Sequence, residues 1–165
     1  MLSKKLPPLL LLLICTGCGV YSFSGATLNP DLKTFIVTDI RLAASTAPPS
    51  LALLFGEALK NKILSETRLN LKNNKPDAEF KGTVLTYQVE PTASGANDRA
   101  QLNKLSIAIR IDYNNQITKE KWSQTFKQFE TFDRNANLSD VETQLISSIN
   151  ERLVQEIFNK AFVNW

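Results

Sequence analysis

The sequence predicts an α+β fold, a two-layer sandwich in which two helices pack on one face of a roughly four-stranded, mostly antiparallel sheet. Three observations predict it. Leu105, Ile107, Ile109, Ile111 and Tyr113 alternate with Lys104, Ser106, Ala108, Arg110 and Asp112, the mark of a strand with one buried face. Val141, Leu145, Ile149, Leu153, Ile157 and Ala161 recur at helical spacing behind Ser139-Asp140-Val141-Glu142, a capping box. Finally, the elements run strand, helix, several strands, helix, which suits helices layered on one side of an antiparallel sheet. The other sheet face is left without a cover.

Taken in order, Lys33–Ile40 (KTFIVTDI) is rich in β-branched and aromatic residues and reads as the first strand. Ala43–Pro49 is a loop. Ser50 is placed to cap a helix running to about Glu66, with Leu51, Leu54, Phe55, Ala58, Leu59 and Ile63 on its apolar face and Glu57, Lys60 and Asn61 turned outward. Leu69–Leu71 is a short strand and Asn73–Asp77 a turn. Glu79–Glu90 is a long strand in which Gly82 marks a bend or bulge. Pro91–Arg99 is a loop, Gln101–Tyr113 the alternating strand, and Asn114-Asn115 a turn. Lys121–Asp133 is a further strand whose phase changes. Trp122 and Phe126 share a parity that Phe129 breaks. Either a bulge near Lys127 and Gln128 restores the face, which is the reading preferred here, or the outer face carries apolar residues for a partner. The last helix runs from the capping box to about Phe162.

The first residues address the chain to a membrane. Lys4 and Lys5 precede an apolar run to Ile14, the charged and apolar regions of a secretory signal. Pro7 and Pro8 interrupt the run, which falls short of the roughly 20 residues of a membrane-spanning helix. Thr16-Gly17-Cys18 then forms a lipobox, where diacylglycerol joins a cysteine thiol before cleavage; Cys15 stands where the usual box has Leu. An ordinary signal peptide with a chance cysteine is the plainer reading, and the small residues before Cys18 weigh against it. The expected organisation is a lipoprotein signal peptide at 1–17, a lipidated tether at 18–30 and a folded domain at 31–165. Cleavage between Gly17 and Cys18 removes 17 of the 165 residues and leaves 148. It also removes Cys15, so the remaining cysteine is alkylated and no internal disulfide can form. Two or more acyl chains make a stable anchor where one binds only marginally.

Composition narrows the function. The whole chain carries 19 basic and 16 acidic residues, net +3, and loss of Lys4 and Lys5 brings the mature chain near +1. That is no footprint for nucleic acid. Histidine, the commonest general base and metal ligand, is absent. The six glycines are scattered, and neither G-x-G-x-x-G nor a P-loop can be drawn through them. No G-x-S-x-G elbow occurs, and no serine beyond the signal peptide has a lysine three positions on. Asp133-Arg134-Asn135-Ala136-Asn137 looks like half a calcium loop, but Leu138 and Gln144 stand where that loop needs Gly and Glu. It reads as a polar turn. No catalytic residue, metal site or cofactor is expected.

Three stretches carry a family resemblance: the opening Cys18-Gly19-Val20-Tyr21-Ser22-Phe23-Ser24-Gly25, the segment Gly95-Ala96-Asn97-Asp98-Arg99-Ala100-Gln101-Leu102-Asn103-Lys104-Leu105, and the closing Ile157-Phe158-Asn159-Lys160. Together they resemble LptE, the lipopolysaccharide-assembly lipoprotein of Gram-negative outer membranes, in a divergent branch. The similarity covers nearly the whole mature chain and includes no catalytic motif. The resemblance implies an outer-membrane lipoprotein, lipid-anchored and facing the periplasm. It implies a domain that plugs and helps assemble an LptD-type β-barrel and binds lipopolysaccharide on its way to the outer leaflet. Only Cys18 transfers residue by residue. The loop at 91–99 suits an ordinary hairpin connection, yet binding residues concentrate on loops and the resemblance runs through it. Asp98 and Arg99 are therefore expected to contact the barrel or its glycolipid, Arg99 through a planar fork suited to carboxylate or phosphate. Two rivals stand beside this: an accessory lipoprotein of another envelope lipid transporter, and a structural lipoprotein that binds only a protein.

Overall fold

The computed structural model describes residues 28–38, 40–92 and 102–163. Strands β1 (Thr34–Val37) and β2 (Arg41–Leu42) lead into helix α1 (Pro49–Glu66) and the short β3 (Asn70–Leu71). Three long strands follow, β4 (Ala78–Pro91), β5 (Leu102–Asn115) and β6 (Lys121–Asp133), and helix α2 (Leu138–Phe162) closes the chain. The sheet order is β3-β1-β4-β5-β6, with β2 also paired to β4. The expected α+β sandwich is present, with six strands where about four were expected.

The antiparallel part is the meander β4-β5-β6. Its central strand is the one whose alternation is cleanest: Leu105, Ile107, Ile109 and Ile111 have no exposed surface and Tyr113 has 2%. The other part is parallel, since β1 and β2 both run with β4 and β1 also runs with β3. Parallel neighbours need a crossover, and α1 supplies it. Asp77 ties this crossover down: its Oδ2 accepts from Lys33 N, Thr34 N and Thr34 Oγ1 at 3.0, 2.9 and 2.8 Å.

The expected single strand at Lys33–Ile40 is split. Val37 pairs with Phe80 and Arg41 with Thr83, so one residue more is used on this side than on β4. The structure shows why the chain leaves the ladder there. Ile40 packs between two glycines: a Cβ on Gly82 would meet Ile40 Cδ1 at 2.6 Å, and one on Gly56 of α1 would meet Ile40 Cγ1 at 3.4 Å. Gly82 is thus a site of close approach. The register shift in β4 falls between Val84 and Thr86 instead, which corrects the bulge expected at Gly82.

Helix α1 begins at Pro49, whose missing N–H costs nothing at a first helical position; Pro48 precedes it and no side chain caps the end. Ser50 is inside the helix, contrary to the expected cap. Leu51, Phe55, Leu59 and Ile63 are fully buried, whereas Leu54 is 44% exposed. The capping box of α2 does not form either. Asn137 Oδ1 accepts from Ser139 N, so the cap falls two residues earlier than expected, and Glu142 accepts instead from the Tyr87 hydroxyl. Along α2, Leu145, Ile149, Leu153 and Ile157 face the sheet, and Ile146, Asn150 and Val154 form a second buried row. Both helices and the inner sheet face share one hydrophobic cluster.

One turn also differs in detail. β5 continues through Asn115, whose Oδ1 accepts from Ile117 N and Thr118 N at 2.9 and 3.1 Å and so organises the turn after the strand. The Asp133–Asn137 segment is the polar turn expected, with Asp133 Oδ1 accepting from Asn135 N at 2.7 Å.

Candidate functional site

The residues singled out from sequence, Gly17, Cys18, Asp98 and Arg99, lie outside the described residues. Their surroundings are described. The ladder between β4 and β5 stays closed to the mouth of the 93–101 loop, where Thr92 N and Oγ1 both donate to Leu102 O at 3.0 Å. Residues 93–101, which join the two strands at this end, lie outside the described residues.

Just inside that mouth, the outer sheet face carries a cluster that sequence reasoning weighed and set aside. The pairing of β5 with β6 runs without interruption from Leu102–Asp133 to Asn114–Lys121. The bulge expected near Lys127 and Gln128 is absent from this ladder. Phe129 consequently points away from the core and is 52% exposed, while Phe126 and Phe132 are buried on the helix side. The Lys104 ammonium sits 5.5 Å from the Phe129 ring centroid and 2.8 Å from Glu90 Oε1. That contact with Lys104, helped more weakly by Lys127, holds the Glu90 carboxyl below its ordinary pKa. The parity break at Phe129 was the available signal.

The helix side offers a groove instead. Leu54 and Ala58 of α1 and Ile146, Asn150 and Val154 of α2 line a cavity of about 630 Å³. Asn150 is 3% exposed and its Oδ1 has no hydrogen-bond partner. At the opposite edge, Arg152 of α2 donates to Glu130 Oε2, to the Phe129 carbonyl and to Ser148 Oγ. This fork ties α2 to the free edge of β6 and, as the leading cause, lowers the pKa of Glu130.

Nothing in these groups is poised for bond-making chemistry. Burial pushes the Tyr113 hydroxyl up to about 12, and burial reinforced by Glu142 pushes Tyr87 higher still. Both are neutral structural hydroxyls. Among the described residues no cluster of three or more His, Cys, Asp or Glu could hold a metal, and no helix is long and apolar enough to cross a membrane.

Two helices on one face of a mixed sheet define an α+β module. The family model for lipopolysaccharide assembly, LptE, matches residues 32–161, and the chain belongs to that family. Its members are non-catalytic outer-membrane lipoproteins of lipopolysaccharide assembly. No curated protein sequence matches closely enough to count as a relative. Among solved structures, a hypothetical protein from Chlamydia trachomatis has the same fold, with TM-score 0.57 and 10% identity over 78% of this chain and 95% of that one. A minor lipoprotein from Acinetobacter baumannii aligns at TM-score 0.46 and 15% identity over 79% and 92%. An uncharacterized lipoprotein from Nitrosomonas europaea aligns at 0.48 and 13% over 82% and 88%.

Proposed function

We propose that the chain is anchored to the outer membrane through acyl groups on Cys18, where it plugs and helps assemble an LptD-type β-barrel and assists passage of lipopolysaccharide to the outer leaflet. The observation that carries this reading is the family match across residues 32–161, a span that takes in both helices and every strand of the sheet. The architecture is compatible with a plug. Large barrels have polar interiors, and the outer sheet face presents Lys81, Thr83, Gln88, Arg110, Asp112 and Thr125 at positions paired across the meander. The module acts without catalysis, by filling space, fixing a partner's fold and offering polar contacts.

Within this reading Asp98 and Arg99, from the segment that joins β4 to β5, contact the barrel or its glycolipid. Depletion of the chain should raise cellular sensitivity to large hydrophobic antibiotics. The Asp98→Ala, Arg99→Ala double variant, at normal protein level, should do so partially. Unchanged permeability on depletion contradicts the assembly reading. Unchanged permeability and barrel binding in the double variant alone moves the contact to another surface.

A further inference from the structure

The two ends of the sheet differ in charge. At one end β1 starts, β3 pairs, β4 begins and β5 hands over to β6: Thr34 pairs with Asn70, Phe35 with Ala78, and Ala78 with Asn115. Helix α2 finishes at the same end, where the Phe162 ring lies 5.9 Å from Phe80. Lys33, Arg68, Lys75, Lys119, Lys121 and Lys160 are exposed on these segments, and none has an ion-pair partner among the described residues. The carboxylates beside them are mostly engaged. Glu66 and Glu79 are paired with Lys62 and Lys81, and Asp77 accepts from Lys33 N and from Thr34. Asp31 and Glu120 remain against the cations. The opposite end, around the turn from β6 to α2, carries Asp133, Asp140 and Glu142 beside Arg134.

The tip of the basic end is held firmly. Besides the two bonds to Asn115 Oδ1, Asn115 N donates to Glu120 O at 2.8 Å, and Lys119 takes a left-handed φ of 63°. This turn fixes Ile117, 38% exposed, among the lysines. An apolar tip within a set of cations matches a lipid–water interface: the apolar group sinks between headgroups and the cations meet anionic ones. The point of chain entry favours the same surface. Leu28 lines a hollow with Asn115, Glu120 and Phe162, so the chain joins the domain at the basic end. Ten residues separate Leu28 from Cys18, and ten extended residues span at most about 35 Å. β5 alone has 14 residues, about 45 Å at strand rise. An inverted domain would need a tether longer than the sheet, which ten residues cannot supply.

We propose that the basic end seats on an anionic phospholipid leaflet, with Ile117 at headgroup level and Lys119, Lys121 and Lys160 over lipid phosphates, and so holds the anchored chain upright before any partner binds. The proposal rests on the Cys18 anchor and deepens it by assigning the end of the domain that faces the membrane. Its charge contact acts over about a Debye length, roughly 8 Å at physiological salt, so it is read by a local probe. The acylated full chain is reconstituted in vesicles of phosphatidylcholine, alone or mixed with phosphatidylglycerol. With Cys18 alkylated and Cys15 removed, Gln116→Cys and Asn135→Cys each provide one labelling site, at the basic and the opposite end. Nitroxide-labelled lipid in the mixed vesicles should quench a fluorophore at 116 at least about threefold more than one at 135. The contrast should shrink in phosphatidylcholine alone, in high salt, and in the Lys119→Gln, Lys121→Gln, Lys160→Gln variant. Flotation with the vesicles should stay unchanged throughout, because acyl chains keep the protein on the membrane. Equal thermal melts check that these exposed substitutions leave the fold intact, and the salt series reads the same contact with native lysines. Equal quenching at the two sites, or a contrast indifferent to the lysines, to salt and to the anionic lipid, overturns the proposal. A chain that floats with neither vesicle strikes the anchor and the proposal with it. A chain that floats without the contrast strikes the orientation alone.

Discussion

At the scale of single residues, the proposed membrane attachment rests on Cys18. Mass spectrometry of the membrane-extracted protein should find a chain beginning at Cys18 and carrying acyl mass, and a soluble mature chain with a free thiol contradicts the anchor. Besides Glu90, two carboxylates are held below their ordinary pKa. Asp77 is held below its ordinary pKa first by the Thr34 hydroxyl and then by backbone N–H groups, and Glu130 chiefly by Arg152. Because both folded values are depressed, their stabilisation is complete above the unfolded carboxylate value of about 4 and is lost as pH falls through the lower folded values. The chain has no histidine to titrate in between. The melting temperature should therefore be nearly level from about pH 5 to 8 and fall below about pH 4, and Asp77→Asn should shrink that fall. An Asp77→Asn variant with an unaltered acid limb contradicts this account of the crossover.

At the scale of elements, α2 carries the most weight on the core. Ile149 has no exposed surface and lies on the row facing the sheet. Ile149→Ala should cost about 2–5 kcal/mol, a large part of a typical margin of about 5–15 kcal/mol, and a barely altered thermal melt would contradict the register of the helix. The elements best read from sequence were those with local periodicity. β5 declared its buried face through five alternating side chains, and α2 declared its stripe at every turn. Both helix N-caps fall two residues ahead of those expected, and in α2 the competing partner is distant: Tyr87 takes Glu142 away from its capping position. The split of the first strand was hidden for the same reason, since Ile40 needs both Gly56 and Gly82, from two other elements, to find room. Phe129 shows the limit of a pattern rule. Its parity was visible, but a bulge and an exposed ring leave the same trace in one strand, and only the unbroken β5–β6 ladder separates them.

At the scale of the whole molecule, the mixed sheet and two helices form a scaffold whose inner face is spent on one core. What remains for partners among the described residues is the outer sheet face and the helix groove. The parallel pairing of β1 with β4 could not be read locally, because it joins residues more than forty positions apart. The absence of catalytic motifs and the family resemblance were readable throughout. The most direct test of the central claim is affinity purification of the native chain from detergent-solubilised outer membranes, with stoichiometry determined by mass spectrometry. The account predicts recovery of one LptD-type β-barrel in an equimolar complex that survives size-exclusion chromatography. Recovery of the folded, membrane-extracted chain without any such barrel would contradict it.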